Sequence, residues 1–236
     1  MTDPAPIHLH PAAPLAERVL LPGDPHRALA VAQAVLDQPK MFNHHRGLWG
    51  YTGRARDGEL LSVQSTGMGG PSAAIVVEEL IELGARTLLR IGTCGALRPG
   101  FDTGTLVAAE EVVATDGTSA ALGAGPSLRP DADLYEALIA TGPEPAVALS
   151  TDLFYDPRDE VNGRWAAAGA DVVEMEAAAL LAVADRHGVA AAIVLAVTDQ
   201  LHGEARERID RADLETVGVK LGEAGWAALD AAARRR

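Results

Sequence analysis

An arginine stands beside a glycine- and proline-rich turn near the start of the chain, a combination suited to holding phosphate. The segment Leu20-Leu21-Pro22-Gly23-Asp24-Pro25-His26-Arg27 runs from apolar residues into the turn and then to a guanidinium group. Glycine lets the backbone approach a ligand closely, and backbone N–H groups at a helix start bind anions. Gly-Asp-Pro is also a common sequence in ordinary turns and helix N-caps. A phosphate site and a purely structural turn therefore both stay open as interpretations.

A second arginine lies inside an apolar run, and a second glycine cluster follows another apolar run. Arg90 lies within Thr87–Ile91, which continues into Gly92-Thr93-Cys94-Gly95, and Ser65-Thr66-Gly67-Met68-Gly69-Gly70 follows Leu60–Val63. A guanidinium group inside an apolar strand needs an anionic partner. Both patterns are typical of strand ends that present ligand groups at the carboxyl edge of a parallel sheet, although plain strands and turns also look like this.

Three carboxylates stand in apolar surroundings. Glu174 and Glu176 flank Met175 before an alanine-rich stretch, and Asp199 follows the apolar run Ala191–Val197. A carboxylate can accept hydrogen bonds from two neighbouring hydroxyls, and an acid can donate a proton where burial or a nearby anion favours its neutral form. For the two glutamates, an exposed helix start is the alternative interpretation.

Composition limits the class of protein. The 236 residues carry a net charge of −13, with 33 acidic and 20 basic residues, which disfavours binding to nucleic acid or to an anionic membrane. The sequence has neither a long apolar run nor a signal-peptide pattern, so we expect a cytoplasmic protein. The single Cys94 excludes an intrachain disulfide, and is either a small buried residue or a thiol nucleophile. Histidine spacing supports no metal, and no nucleotide-cofactor motif fits.

The elements that must position these residues alternate along the chain. Apolar runs predict strands at 19–21, 60–63, 87–91, 106–109, 146–149 and 191–197. Helical periodicity is found at 27–36, 73–83, 131–141, 175–187 and 210–233, and a Pro/Gly-rich loop at 122–130. This alternation predicts one α/β domain over residues 1–236, with three layers (α/β/α) and a mixed, mostly parallel twisted sheet flanked by helices.

In these motifs the chain resembles the nucleoside phosphorylase family, which includes hexameric bacterial purine nucleoside phosphorylase and uridine phosphorylase. The matching segments are Ile7-His8-Leu9, Pro22 to Arg27, Arg46-Gly47, Gly67-Met68-Gly69, Arg90 to Gly95, Asp152-Leu153-Phe154-Tyr155, Val173-Glu174-Met175-Glu176 and Thr198-Asp199. The resemblance spans nearly the whole chain. It implies phosphorolysis of nucleosides, with inorganic phosphate as co-substrate and no cofactor, by a homo-oligomer, a hexamer built as a trimer of dimers, with shared sites.

The resemblance also implies a role for individual residues. Phosphate would be held by Gly23, Arg27, Arg90 and Thr93, with Arg46 from a neighbouring subunit. Ribose would be held by Met68, Met175 and Glu176, with His8 of a neighbour near the 5′-hydroxyl. The base pocket would include Cys94, Gly95, Phe154, Val173 and Glu174, with Asp199 as the catalytic acid toward purine N7. Arg211 would assist Asp199, with Arg208 as an alternative.

The sequence favours a purine over a pyrimidine substrate. Uridine phosphorylases carry a longer segment between the Phe-Tyr pair and the Glu-Met-Glu motif, whereas here Phe154 and Glu174 are 20 positions apart and no Gln-x-Arg lies between them. Two further hypotheses are a water-using nucleosidase, which the arginines disfavour, and a non-catalytic nucleoside sensor, which Asp199 disfavours. His202 and Glu204 lie in a loop unlike that of the family, where they either rim the base site or face solvent.

Overall fold

The chain forms one mixed sheet covered by helices, in a computed structural model that describes residues 6–203 and 207–235. The strands are β1 (Arg18–Leu21), β2 (Asp37–Asn43), β3 (Gly50–Arg54), β4 (Leu60–Gln64), β5 (Thr87–Ala96), β6 (Leu106–Ala114), β7 (Ser127–Leu128), β8 (Glu144–Ser150), β9 (Val172–Glu174), β10 (Ala190–Gln200) and β11 (Glu207–Arg208). The helices are α1 (Pro25–Val35), α2 (Gly70–Glu82), α3 (Gly117–Ala121), α4 (Ala132–Ile139), α5 (Val161–Ala167), α6 (Ala177–His187) and α7 (Arg211–Ala233).

Helices cover both faces of the sheet, which confirms the three-layer prediction. Helices α1, α4 and α7 pack with the strands around one buried apolar cluster, and α2 and α6 pack around another. Helix α7 crosses α1 closely, since a Cβ atom at Gly222 would lie 2.5 Å from Val31 Cγ1. In the described part of the chain, no helix combines the length and the apolar character that crossing a bilayer requires.

The strand pairings close on themselves. Strand β5 pairs with β10, β10 with β6, β6 with β8, β8 with β9, and β9 pairs back with β5; we call this set the strand ring. The predicted mixed sheet is confirmed. Parallel pairs join β1 to β4 and β5, join β5 to β10, and join β8 to β6 and β9, whereas β2–β3–β4, β5–β9 and β6–β10 are antiparallel.

The predicted elements are present with shifted boundaries. Helix α1 begins at Pro25 because the Asp24 carboxylate accepts a hydrogen bond from the backbone N–H of Arg27 at 2.8 Å, forming an N-cap. Helix α6 begins at Ala177 rather than Met175, and Glu174 belongs to β9. The predicted loop 122–130 contains the short strand β7.

Candidate active site

A cavity of about 600 Å³ opens where β1, β5, β9 and β10 end. Its lining includes most of the residues assigned from sequence, namely Gly23, Arg27, Met68, Arg90, Thr93, Cys94, Gly95, Phe154, Val173, Glu174, Met175, Glu176 and Asp199. The strand ring explains why these distant segments meet: Gly95 is paired with Val173 on one side and with Asp199 on the other. A register shift between Val197 and Asp199 accompanies that second pairing.

The turn before α1 forms one corner of the cavity. It is joined to the glycine-rich loop before α2, because Thr66 N–H donates to Pro22 O at 2.9 Å and Gly67 N–H donates to Gly23 O at 3.1 Å. A Cβ at Gly23 would lie 3.2 Å from Gly67 O, so a larger residue would push the two loops apart. The Arg27 side chain, whose Cγ lies close to Gly218 of α7, extends into this corner.

Arg90 is buried between two carboxylates. Its Nε donates to Glu174 Oε2 at 3.0 Å and its Nη2 donates to Glu176 Oε2. Burial opposes the charge, but Glu176 and Glu174 hold the pKa of Arg90 above its ordinary value. Its Nη1 is buried and has no hydrogen-bond partner among the described residues. Arg90 therefore keeps one unmatched donor beside the cavity.

Arg27 lacks a carboxylate partner of this kind. None of the residues at 6–203 or 207–235 accepts a hydrogen bond from its guanidinium group. Burial lowers the pKa of Arg27, and so does the charge of Arg90, whereas Asp24 and Glu176 oppose that shift. Two guanidinium groups thus face one corner of the cavity, and each has N–H donors without an acceptor among the described residues. An oxyanion bound there would satisfy those donors and relieve the repulsion between the two cations.

Glu174 and Glu176 are only 4% and 7% exposed, so the interpretation as an exposed helix start is wrong. Glu174 accepts from Ser150 Oγ, from Arg90 and from the N–H groups of Glu176 and Ala177 at 2.9 Å, which ends β9 and starts α6. Burial raises the pKa of Glu174, and Arg90 opposes that shift. Glu176 accepts from Arg90 and, at 2.6 Å, from Gly69 N–H. Glu174 thus orients the segment, while Glu176 keeps free lone pairs toward the cavity.

The opposite end of the cavity holds Asp199, which is 6% exposed. Its Oδ2 accepts a hydrogen bond from Thr198 Oγ1 at 2.9 Å, and its Oδ1 lies 3.8 Å from Nε of Arg208 on β11. Arg211 instead is exposed at the start of α7, where its Nε donates to Glu215 at 3.3 Å. The geometry therefore brings Arg208, rather than Arg211, next to Asp199; an assisting role for either arginine stays a prediction.

Cys94 lies at the same end and is buried. Its thiol donates to Ala196 O at 3.6 Å, and burial raises its pKa far above the ordinary value. A thiolate nucleophile is therefore not supported, and the interpretation of Cys94 as a small buried wall residue fits.

His8 and Arg46 do not line the cavity of their own chain. The His8 ring lies 2.7 Å from Glu79 through Nδ1, and Arg46 is exposed with φ of 57° in a short helical turn, His45–Gly47. Their assignment to a neighbouring subunit's site stays a prediction. His202 Nε2 lies 2.7 Å from Gln200 Oε1 at the partly exposed end of β10, and Glu204 lies outside the described residues.

Sequence reasoning missed one wall of the cavity. This wall includes Thr151, Leu153, Asp156, Asn162, Trp165, Leu201 and Gly203. Trp165 and Asn162 belong to α5, whose seven residues include Gly163 and are too few for a helical period to stand out. A tryptophan eleven positions after Phe154 was the available signal, since aromatic side chains are common in ligand pockets.

Comparison with known proteins agrees with this geometry. Residues 17–234 match the phosphorylase superfamily, a span that includes the whole described lining of the cavity. The chain belongs to the phosphorylase superfamily.

Curated relatives narrow the resemblance to DeoD-type purine nucleoside phosphorylases. The enzyme of Caldanaerobacter subterraneus subsp. tengcongensis is 40% identical over 207 residues, which cover 84% of this chain and 89% of the relative. That of Geobacillus kaustophilus is 40% identical over 197 residues, covering 79% and 82%. That of Clostridium perfringens strain SM101 is 36% identical over 227 residues, covering 92% and 94%. The family predicted from the motifs is thereby confirmed.

Proposed function

We propose that this protein cleaves purine ribonucleosides and 2′-deoxyribonucleosides with inorganic phosphate, giving the free base and (2-deoxy)ribose 1-phosphate. Similarity to proteins named purine nucleoside phosphorylase supports the class of reaction. The observation that carries the proposal is one cavity with unmatched guanidinium donors of Arg27 and Arg90 in one corner and the buried acid Asp199 at the other end.

Phosphate binds in the corner formed by Gly23, Arg27, Arg90 and Thr93. Guanidinium groups offer paired N–H donors that suit a tetrahedral dianion. Arg46 of a neighbouring subunit completes this corner in the proposed assembly. With a net charge of −13, the protein binds the anion through this local positive charge rather than through its overall field.

Ribose lies between the two ends of the cavity. Glu176, held by Arg90 and by Gly69 N–H, accepts from the sugar hydroxyls through its remaining lone pairs. Met68 and Met175 give apolar contact to the sugar, and His8 of a neighbour binds the 5′-hydroxyl. These contacts fix C1′ between the phosphate and the base, so that the reaction becomes effectively intramolecular.

The bond rearrangement follows from this placement. A phosphate oxygen forms the bond to C1′ as the C1′–N9 bond breaks, and the electron pair of that bond passes into the purine ring. Asp199, in its protonated form, donates its proton to N7, so the base leaves as a neutral molecule. Arg208, 3.8 Å from Asp199, or Arg211 then stabilises the resulting carboxylate.

The competing functions fit the cavity less well. A nucleosidase attacks with water and has no use for two guanidinium groups with unmatched donors. A uridine phosphorylase needs polar groups that grip the oxygens of uracil, and a nucleoside sensor needs no buried acid beside the base. We further propose a cytoplasmic homo-oligomer, a hexamer with shared sites, that needs no cofactor.

One assay tests the proposed function. Inosine, adenosine, guanosine and uridine are each incubated with the protein, with and without phosphate, and the sugar product is identified. We expect ribose 1-phosphate from the purine nucleosides only when phosphate is present. Equal cleavage without phosphate, giving free ribose, would identify a nucleosidase, and faster turnover of uridine than inosine would contradict the purine assignment.

A further inference from the structure

Helix α5 contributes two side chains to the cavity that the proposed function leaves without a role. Asn162 and Trp165 both line the cavity, and their spacing of three residues places them on one face of the helix. Both are partly buried.

This wall lies at the base end of the cavity. Trp165, Val173 and Leu201 pack against one small buried cluster formed by Leu97, Leu149 and Ala170. Val173 is paired across the sheet with Gly95, which is paired in turn with Asp199. Helix α5 therefore faces the end of the cavity that holds Asp199, not the corner that holds Arg27.

Asn162 is a carboxamide of this wall with unused hydrogen-bonding capacity. Asp156 also lines the cavity, but its carboxylate accepts from Arg158 Nε at 2.9 Å, and this contact lowers the pKa of Asp156 to about 2. No residue in the described ranges forms a hydrogen bond with the Asn162 carboxamide. Asn162 thus presents both an amide donor and an amide acceptor to the cavity.

We propose that the Asn162 carboxamide hydrogen-bonds the substituent at C6 of the purine, an inference that rests on the proposed function. Oriented one way, Nδ2–H donates to the oxygen of a 6-oxopurine. Rotated by half a turn about its last torsion, the group presents Oδ1, which accepts from a 6-amino group. One side chain therefore has a hydrogen-bond partner for either kind of base.

The test compares three nucleosides that differ only at C6: inosine, adenosine and purine riboside, which has hydrogen there. Asn162→Leu removes the polar group while keeping its approximate volume. We expect kcat/KM for inosine and adenosine to fall about tenfold relative to that for purine riboside, the effect of one lost hydrogen bond. Asn162→Asp presents acceptors only, so it should lower the ratio of inosine to adenosine turnover, because the carboxylate repels O6.

Two control variants separate this role from a structural one. Val173→Ala shortens an apolar wall residue at the same end and should change kcat/KM for all three nucleosides by one common factor. Arg164→Ala alters an exposed residue of α5 outside the cavity lining and should leave the three-way ratio unchanged.

The outcomes are distinct. Equal loss on all three nucleosides in Asn162→Leu, or no loss on any, would overturn the role of Asn162. If the wild type cleaves no purine nucleoside, the proposed function fails, and calorimetric binding of hypoxanthine, adenine and purine to the wild type and Asn162→Leu takes the place of the kinetics. A loss of affinity confined to the two substituted bases would still support the contact, whereas a uniform change would refute it.

Discussion

The two arginines of the cavity carry the same charge in different surroundings. Arg90 is 3% exposed and lies between Glu174 and Glu176, whereas Arg27 approaches the same corner without a carboxylate in hydrogen-bond contact among the described residues. Removing Arg90 leaves two buried carboxylates without their cation, whereas removing Arg27 mainly relieves the cost of burying a cation that has no hydrogen-bonded carboxylate among the described residues. The two residues therefore contribute differently to stability, although both bind phosphate in the proposed reaction.

Arg90→Ala is expected to lower the free energy of unfolding by about 3–5 kcal/mol, the usual cost of leaving buried charge without its partner. Arg27→Ala is expected to change it by about 1 kcal/mol or less. Arg27→Ala should instead raise the KM for phosphate roughly 30-fold or more, because a charge-assisted contact to a buried anion is lost. Urea unfolding curves and phosphate titrations measure the two effects. Equal destabilisation by both variants would contradict the distinction.

Asp199→Asn should lower kcat for inosine by about 10²- to 10⁴-fold, the range for losing a positioned general acid, because asparagine cannot protonate N7. A 7-methylated nucleoside needs no proton at N7, so its cleavage should decrease far less. Both are measured by release of the free base. If the variant lost the same factor on both substrates, Asp199 would hold the base or the fold rather than donate a proton.

At the scale of elements, hydrogen bonds to one carboxylate of α2, that of Glu79, hold the N-terminal segment in place. Glu79 accepts from the N–H groups of His8 and Leu9 at 3.0 and 2.7 Å, and from His8 Nδ1 at 2.7 Å. Because an ionised carboxylate only accepts, the proton of a neutral His8 ring resides on Nδ1 and Nε2 is left as an acceptor. Burial favours the neutral form of Glu79, but these hydrogen bonds prevail and lower its pKa below 4.5.

Glu79→Gln tests the contribution of these hydrogen bonds to stability. A lowered pKa in the folded state adds stability above the ordinary pKa of 4.5, and that stability is lost as the pH falls through the folded value. The free energy of unfolding of the wild type should therefore exceed that of Glu79→Gln by about 1.5–3 kcal/mol near pH 7, the range for hydrogen bonds to a charged group. The difference should shrink below about pH 4.5. Unfolding measured between pH 3 and 7 gives the comparison, and a pH-independent difference would contradict the role of the charge.

Periodicity predicted the long elements and missed the short or polar ones. Strand β10 and helix α7 are long enough for their apolar pattern to be read directly from the sequence. Strand β2 begins with exposed polar residues, with Gln38 at φ of 44°, so no alternation identifies it. Helix α5 and the polar wall that it contributes were missed for a related reason: seven residues span two turns.

The site was predictable where its residues belong to motifs and unpredictable where they depend on pairing. Arg27, Glu176 and Asp199 were assigned from local sequence, and the structure brings them to one cavity. The closeness of Arg208 to Asp199 arises from the antiparallel pairing of β11 with β10, which joins residues with no shared motif. The strand ring likewise depends on pairings between distant segments, which periodicity does not report.

At the scale of the whole molecule, the proposed sharing of sites between subunits makes a specific prediction. Arg46 serves the neighbour's phosphate corner in that proposal, whereas Arg27 serves its own. Arg46→Ala and Arg27→Ala homo-oligomers should each lose most phosphate affinity. Unfolding and refolding the two variants together places both lesions in some sites and neither in others, so a fraction of wild-type activity should return. Verified mixed oligomers with no recovered activity would show that Arg46 does not act across an interface.

The strand ring also determines when the site forms during synthesis. Strand β10, Ala190–Gln200, pairs with β5, Thr87–Ala96, so about two-fifths of the chain separates partners that form adjacent walls of the cavity. A ribosome-bound chain that ends before β10 exposes unpaired edges of β5 and β6, which invite pairing with other nascent chains. Catalytic capacity therefore arises only after β10 has been synthesised and has paired with β5 and β6.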